Sequence, residues 1–529
     1  MIKSNKPLPA VGELFSDTFA GEDTYITVTF ADTREVCYDA GTRRLTDEKY
    51  ILTVLPSEKG LRAEILCSGE KSALYAFADL FERLQTGNAA AGTYVCAPKF
   101  AVRGYIEGFY GAPWTQEQRL DMMAQMAKKR MNAVYYAPKD DPYHRELWRE
   151  SYPADRLAGL KELVSTARRY AMDFVWCVAP GLSVCYANED DFAALINKTR
   201  QLYQIGVRAF GLLLDDIDEE LIFDADKVRY GETVNAHIDL VSRYDNALRA
   251  LDARVRLTVC PMQYHGRGDE YYISKLGLGI PADVSLFFTG RDICSRDLTS
   301  AEALRFAEHT RHKPLYWDNY PVNDMAMRRE MHLSPVINRE ADLYKYAKGI
   351  IFNCMAYAAC SVIPLSTGAD YLWDAEGYAP EASFERAVKQ AVGKENAGSF
   401  LLFADHLYVS CLLDENSRRM KGTFTAMRGA LAAGEPERAF SIGETYLAGL
   451  LQALSFLQGD HPLCRELAPW TEKFELYCEI IKTALACLRS GDPEKNGRFY
   501  ALLAKYESMP ARFADPMDIE EAYDALRPL

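Results

Sequence analysis

Hydrophobic and polar positions divide the chain into three parts. In the first part, residues 25–30 and 49–55 form short apolar runs typical of strands, and apolar residues at helical spacing follow over 70–85. This order predicts a small α/β unit. Residues 86–104 are interpreted as a connector to the next part of the chain.

The middle part alternates strand-like and helix-like segments. Eight continuous apolar runs are predicted as strands: 104–109, 132–137, 173–179, 208–214, 255–260, 284–289, 314–319 and 349–354. Helical patterns separate most of them, among them 115–130, 157–171 and 234–252. Eight strands alternating with helices favour a (β/α)8 TIM barrel. A doubly wound open sheet is the alternative, but it usually has fewer strands and a phosphate-binding turn after the first.

After Tyr378 the pattern is helical, with no convincing strands between the helices. The helical segments include 383–393, 396–413, 417–434, 437–459 and 470–491. We therefore predict an α/β protein with three domains: a small α/β domain at 1–102, a TIM barrel at 103–378 and an all-helical bundle at 379–529.

Composition narrows the classes of partner. The 529 residues carry a formal net charge of −14 and contain no dense run of Lys and Arg. Nucleic acids and membranes are therefore not expected as partners, because anionic surfaces normally bind a basic patch. No apolar stretch approaches the ~20 residues that cross a bilayer, and the polar N-terminus does not resemble a secretion signal. The thirteen cysteines include no CxxC pair, so free thiols in the cytoplasm are expected.

The fourth predicted strand ends in two adjacent aspartates, Asp215 and Asp216. Catalytic groups of TIM barrels lie at such C-terminal strand ends. Neighbouring side chains within a strand point to opposite faces, but at its end, where the backbone turns, both can face one ligand. Two alternatives exist: the pair caps the following helix, or together with Asp218 it holds a divalent cation.

The other strand ends carry hydrogen-bonding and aromatic side chains, which suit a sugar with its hydroxyls and C–H faces. A phosphate site would need more basic residues or a glycine-rich loop, and only Lys139 qualifies. The candidates at these ends are Gly108, Lys139, Cys260, Tyr264, Thr289, Trp317, Asn319, Asp324 and Asn353. For Cys260 and Trp317, simple core packing is the competing interpretation.

Four segments resemble the signature segments of glycoside hydrolase family 84: RGYIEGFYGAPWTQEQR, YYAPKDDPYHRELWRE, GLLLDDID and YWDNYPVND. The resemblance covers the barrel, residues 103–355, with the segments in the family's order. Members of this family are β-N-acetylglucosaminidases, including enzymes that remove O-linked N-acetylglucosamine (GlcNAc) from proteins. They have an α/β domain before the barrel and helices after it, which agrees with the predicted flanks.

The resemblance implies a retaining exo-β-N-acetylglucosaminidase without metal or organic cofactor, in which the 2-acetamido oxygen of the substrate attacks the anomeric carbon. It implies that Asp215 orients the acetamido group and that Asp216 is the general acid/base. It also implies a set of binding roles: sugar hydroxyls contact Gly108, Lys139, Asp324 and Asn353, the acetamido group bonds Tyr264 and Asn319, and its pocket is lined by Cys260, Thr289 and Trp317.

One position departs from the family pattern. After the eighth strand the family usually has Asn-Pro, whereas this chain has Asn353-Cys354. A different loop path there would displace Asn353 from the position that the resemblance implies.

The expected partner is a carbohydrate or glycoprotein with terminal β-linked GlcNAc. The sequence does not identify the natural glycan or the oligomeric state. Two alternative functions stay open: a glycan-binding protein that lost turnover, and a helical C-terminal region that mainly docks a partner.

Overall fold

The computed structural model describes residues 1–21, 23–31, 34–39, 44–491 and 493–527. The chain divides into two compact units. The first consists of Met1–Asn319, Asn338–Cys354 and Gly368–Tyr378, and the second of Tyr320–Ile337, Met355–Thr367 and Ala379–Leu529. The domain boundaries at 102/103 and 378/379 stay predictions.

The first unit begins with a mixed sheet of five strands, β1 (Ile2–Ser4), β2 (Thr24–Phe30), β5 (Tyr50–Leu55), β6 (Leu61–Cys67) and β7 (Gly92–Cys96). They lie in the order β1-β2-β6-β5-β7, and the short strands β3 (Tyr38–Asp39) and β4 (Arg44–Leu45) pair separately. The helices here are α1 (Pro9–Phe19), α2 (Arg34–Cys37) and α3 (Glu70–Thr86). The predicted connector 86–104 contains β7, which pairs with β5, so that interpretation is wrong for residues 92–96.

Eight parallel strands follow and form a closed barrel. They are β8 (Val102–Glu107), β9 (Ala133–Tyr136), β10 (Asp173–Val178), β11 (Ala209–Leu213), β12 (Arg256–Cys260), β13 (Ser285–Phe288), β14 (Leu315–Asp318) and β15 (Gly349–Asn353). The barrel closes between β15 and β8, in a register that runs from Gly349 opposite Val102 to Asn353 opposite Ile106. The predicted TIM barrel is confirmed, and the open-sheet alternative is wrong.

Burial explains why these strands are continuous apolar runs. Side chains such as Ile106, Tyr135, Leu213, Phe287 and Ile351 form a buried cluster, while helices cover the other face of a parallel barrel. The helices between the strands are α4 (Gln116–Lys128), α5 (Ala154–Arg169), α6 (Glu189–Gln204), α7 (Asp224–Tyr230), α8 (Thr233–Leu251), α9 (Tyr271–Gly279) and α10 (Ser300–Thr310). All eight strands therefore end on one face of the barrel, where their following loops meet.

The rest of the chain is helical, as predicted. Its helices are α11 (Ala358–Trp373), α12 (Pro380–Val392), α13 (Lys394–Ala404), α14 (Arg418–Ala432), α15 (Pro436–Leu457), α16 (Pro462–Glu466), α17 (Ala468–Ser490), α18 (Pro493–Glu507) and α19 (Pro516–Asp524). Short 3-10 turns lie at Met325–Met327 and Leu343–Lys345. Helix α13 ends at Ala404, so the helical prediction is wrong for residues 405–413. Within the described residues, every helix is too short or too polar to span a bilayer.

Candidate active site

The aspartate pair lies directly after β11, at the C-terminal face of the barrel. The backbone N–H of Leu214 still donates to the carbonyl of Cys260 (2.9 Å), so the chain leaves the sheet at Asp215. Asp216 has φ = 54°, in the left-handed region that costs a non-glycine residue roughly 1–2 kcal/mol. The N-cap of the next helix, α7, is Phe223, so the helix-capping alternative for the pair is wrong.

Asp215 is half-buried and lies among groups of both signs. Burial raises the pKa of its carboxyl, the Lys139 ammonium opposes this increase, and the charge of Asp216 adds to it. Burial and the charge of Asp215 also raise the pKa of the Cys260 thiol. The structure therefore brings Asp215, Lys139 and Cys260 together.

Asp216 is exposed and has different partners. The Tyr110 hydroxyl donates to its Oδ2 (2.8 Å), and Arg145 Nη1 donates to the same hydroxyl (3.3 Å). The Lys139 ammonium lies 4.9 Å from the centre of the Tyr110 ring. Tyr110 thus reaches from the end of β8 to the end of β11.

The sequence motifs imply no specific role for Tyr110 or Arg145. The available signal was weak: both residues lie in the loops that follow barrel strands, within segments that resemble the family signature. A tyrosine in such a loop is equally suited to the wall of a pocket and to its support. Only the conformation of the loops shows that its hydroxyl contacts Asp216.

A second cluster lies at the ends of β14 and β15. Asn319 Oδ1 accepts two hydrogen bonds, from Trp317 Nε1 and from Asn353 Nδ2, and both donor–acceptor distances are 2.9 Å. Asn319 Nδ2 in turn donates to the carbonyl of Ile293 (2.8 Å). Among the described residues, the buried Oδ1 of Asn353 has no hydrogen-bond partner. Because an unmatched buried acceptor is costly, this oxygen is suited to a ligand hydroxyl.

Gly108 borders this cluster closely. A Cβ at this position would lie 2.8 Å from Trp317 Cζ2 and 3.3 Å from Asn353 Oδ1. A side chain would therefore displace the indole ring, which itself packs edge-on against Phe287. Glycine is needed here because of the close approach of these two side chains.

Tyr264 and Thr289 come from the neighbouring strand ends. The backbone N–H of Thr289 donates to the carbonyl of Tyr264 (2.8 Å), and the Thr289 hydroxyl donates to the carbonyl of Asp292 (2.7 Å). Burial and the charges of Asp216 and Asp215 raise the pKa of the Tyr264 phenol. The phenol is therefore close enough to the aspartate pair to feel both charges.

Two further predictions concern Asp324 and metal binding. Asp324 belongs to the second unit, where it precedes the turn Met325–Met327, so its contact with a sugar stays a prediction. Asp218 is exposed. In the described parts of the chain, no group of three His, Cys, Asp or Glu side chains is arranged to hold a metal ion.

Similarity to known proteins shows which family the chain belongs to. The family model for beta-N-acetylglucosaminidase matches residues 103–405. The chain belongs to glycoside hydrolase family 84. In this family 84 chain, all four signature segments lie on barrel strands or on the loops and the helix that follow those strands.

Relatives of this family 84 chain include two mammalian proteins. The chain is 31% identical to Protein O-GlcNAcase of Rattus norvegicus over 273 residues. This aligned stretch is 50% of this chain and 29% of the rat protein. Protein O-GlcNAcase of Mus musculus is 30% identical over 256 residues, 47% of this chain and 27% of the mouse protein. The chain thus matches less than a third of the length of these curated relatives.

Solved structures of similar proteins extend the likeness beyond the barrel. A mutant of Thermobaculum terrenum O-GlcNAc hydrolase has a TM-score of 0.74 and 28% identity, covering 81% of this chain and 94% of that one. The structure of CpGH84B has a TM-score of 0.81 and 26% identity, covering 99% of this chain and 96% of that one. The flanking parts of this family 84 chain therefore have counterparts in a solved structure.

Proposed function

We propose that the protein is a retaining exo-β-N-acetylglucosaminidase that uses the acetamido group of its substrate as the nucleophile. The observation that carries the proposal is the pair of consecutive carboxylates at one barrel face, each with its own partners. Asp215 is half-buried beside Lys139 and Cys260, and Asp216 is exposed beside Tyr110. The names of the rat and mouse relatives support GlcNAc-bearing glycoproteins as the substrate class.

In the first step, Asp215 accepts a hydrogen bond from the acetamido N–H while the acetamido oxygen attacks the anomeric carbon. Asp216 gives its proton to the leaving oxygen, the acetamido N–H proton passes to Asp215, and the sugar becomes a neutral oxazoline. In the second step, Asp216 takes a proton from water as the water opens this ring, and Asp215 returns the proton to the acetamido nitrogen, so the anomeric configuration is retained. Asp215 must be ionised at the start, and the Lys139 ammonium favours that state.

The remaining residues are proposed to bind the sugar. Asn353 Oδ1 is a buried acceptor without a protein partner among the described residues, so it suits a hydroxyl. The backbone of Gly108, which lies against Trp317 and Asn353, is proposed to hold a sugar hydroxyl. The group of Trp317, Asn319 and Thr289, with Tyr264 and Cys260, is proposed to enclose the acetamido group. The contact of Asp324 with a hydroxyl and the cytoplasmic location stay predictions.

The acid role of Asp216 is tested with two leaving groups. Asp216→Asn should lower kcat/KM on an alkyl β-N-acetylglucosaminide by about 10²–10⁴-fold, because a general acid contributes about that much. An activated aryl glycoside, which needs little protonation, should lose far less. The matched control is Asp218→Asn, an exposed carboxylate two positions further on. Equal losses on both substrates would contradict the acid role.

The nucleophilic role of the acetamido group is tested separately. Asp215→Ala should impair both substrates alike, since the attack itself needs this carboxylate. A thiazoline analogue of the oxazoline should inhibit the unaltered protein competitively. An inert thiazoline would exclude substrate assistance. A protein that binds N-acetylglucosamine but does not cleave a chromogenic glycoside would instead be the glycan-binding alternative.

A further inference from the structure

Arg339 lies outside the residues considered so far, yet its side chain contacts the strand that carries Trp317. Its guanidinium binds Asp318 through two hydrogen bonds, Nε to Oδ2 (2.9 Å) and Nη2 to Oδ1 (2.6 Å). The side chains are 1% and 3% exposed. Asp318 is the last residue of β14, between Trp317 and Asn319, so the pair fixes the point where this strand ends.

The same guanidinium also holds the loop that follows β13. Nη1 donates to the carbonyl of Arg296 (2.9 Å), and Nη2 lies 3.5 Å from that of Ser295. This loop accepts two more hydrogen bonds, from the Thr289 hydroxyl to Asp292 O and from Asn319 Nδ2 to Ile293 O. Arg339 therefore connects the loop and the strand end that together carry Thr289, Trp317 and Asn319.

We propose that Arg339 is a positioning residue that sets the size of the pocket for the N-acyl group of the substrate. This inference rests on the proposed function, in which Thr289, Trp317 and Asn319 enclose the acetamido group. Arg339 does not touch the sugar. It determines the distance between the two segments that form the walls around the acyl group.

The physical reason is the burial of Asp318. A guanidinium with two parallel bonds to a carboxylate fixes both distance and orientation, which a lysine ammonium does not. Without Arg339, the Asp318 carboxylate is left buried and uncompensated, which lowers stability. The end of β14 also loses its link to the carbonyl of Arg296 in the loop after β13, so it can move even when the charge of Asp318 is removed. Asn319 and Trp317 move with it, and a shift of about 1 Å can cost about 100-fold in rate.

The test compares acyl groups of different size. Aryl β-glycosides of N-acetyl-, N-propionyl- and N-butyrylglucosamine are assayed with the unaltered protein, Arg339→Lys and Arg339→Met. Both variants should lose about 100-fold in kcat/KM on the N-acetyl substrate. Their preference for N-acetyl over N-butyryl should also narrow, because a pocket with movable walls accepts the longer chain. Arg291→Met is the matched control, since Arg291 is an exposed arginine on the same loop that pairs with Glu302 of α10. It should keep both the rate and the preference.

A double variant separates positioning from stability. Asp318→Asn/Arg339→Met removes the uncompensated charge, so its thermal unfolding midpoint should recover, while the narrowed acyl preference persists. An acyl preference that stays unchanged in the single variants, or that recovers together with stability, would overturn the inference and leave the proposed function intact. An unaltered protein that cleaves none of the three glycosides would overturn both.

Discussion

Lys139 opposes the effect of burial on the pKa of its neighbour Asp215. In the proposed mechanism Asp215 accepts the acetamido N–H, and a protonated carboxyl cannot do so at the same oxygen. Burial and the charge of Asp216 raise the pKa of Asp215, while Lys139 and, more weakly, Arg145 lower it. The ionised fraction, and with it the activity, is therefore lost as the pH falls through this raised pKa.

Replacement of Lys139 should change the pH dependence in one direction. Lys139→Met removes the cation that stabilises the carboxylate, so the pKa of Asp215 rises further and the acidic limb of kcat/KM moves to higher pH. The profile is measured on an activated aryl glycoside, so that protonation of the leaving group does not limit the rate. Lys139→Arg keeps the charge and should keep the limb near its original position. An unmoved limb in Lys139→Met would show that another group controls it.

At the residue scale, the sequence predicts where side chains lie better than which side chains pair. Asp215 and Asp216 are predicted at the C-terminal face of the barrel because they follow a continuous apolar strand. The hydrogen bond from Tyr110 to Asp216 depends on the path of two loops, which the local sequence does not determine. Asn353 lies with Asn319 and Gly108, although the family's following proline is absent.

At the element scale, the barrel and the N-terminal sheet are joined by a buried ion pair. Arg103 in β8 binds Glu48 through Nη1–Oε2 (2.9 Å) and Nη2–Oε1 (3.2 Å), and Asn132 Nδ2 donates to Oε1 (2.9 Å). Burial alone would raise the pKa of Glu48, but the charges of Arg103 and Lys71 and these hydrogen bonds lower it to about 2. The ionised carboxylate is therefore part of the folded state.

Glu48→Ala should destabilise the protein strongly. Loss of one partner of a buried pair typically costs about 3–5 kcal/mol, because the other charge is left uncompensated. The stabilisation by Glu48 is complete above its ordinary pKa of 4.5 and is lost as the pH falls towards about 2. The urea midpoint of the variant should thus lie far below that of the unaltered protein at pH 7 and approach it near pH 2. Glu64→Ala, at an exposed position in β6, should change neither midpoint much. A constant difference across this pH range would contradict the account.

The sequence predicts whether a segment is a helix or a strand where one face of that element is buried or where all of its faces are. The barrel strands are buried on both faces, which gives continuous apolar runs that the sequence displays directly. Strand β7 is only partly buried, with alternate residues exposed, and its composition does not separate it from a loop. Just after helix α13, Asp405 Oδ2 accepts the backbone N–H of Arg419 (2.8 Å), a contact distant in sequence that the local helical pattern does not display.

At the scale of the whole molecule, the helical unit takes residues from within the barrel part of the sequence. Its buried cluster includes Met331, Leu333, Met355 and Ile363, together with aromatic residues of later helices such as Phe474. These four side chains are at most 1% exposed. The second unit therefore depends on segments that precede residue 378.

A chain that ends at Tyr378 should fold poorly. It lacks residues 379–529, so the segments 320–337 and 355–367 lose the core against which they pack. The exposed apolar surface should lead to aggregation in size-exclusion chromatography and to a lower thermal midpoint than the full chain has. A monomeric fragment that unfolds cooperatively at the midpoint of the full chain would show that these segments do not need the later helices.

At Asp216, the left-handed backbone conformation favours one residue for stability and the proposed mechanism requires another. Glycine at this position would adopt the same conformation without steric cost and would end the repulsion from Asp215. Glycine therefore fits this backbone conformation best, but it has no side chain that could act as a general acid. Selection for heat resistance alone would therefore favour the loss of the proposed general acid at this position.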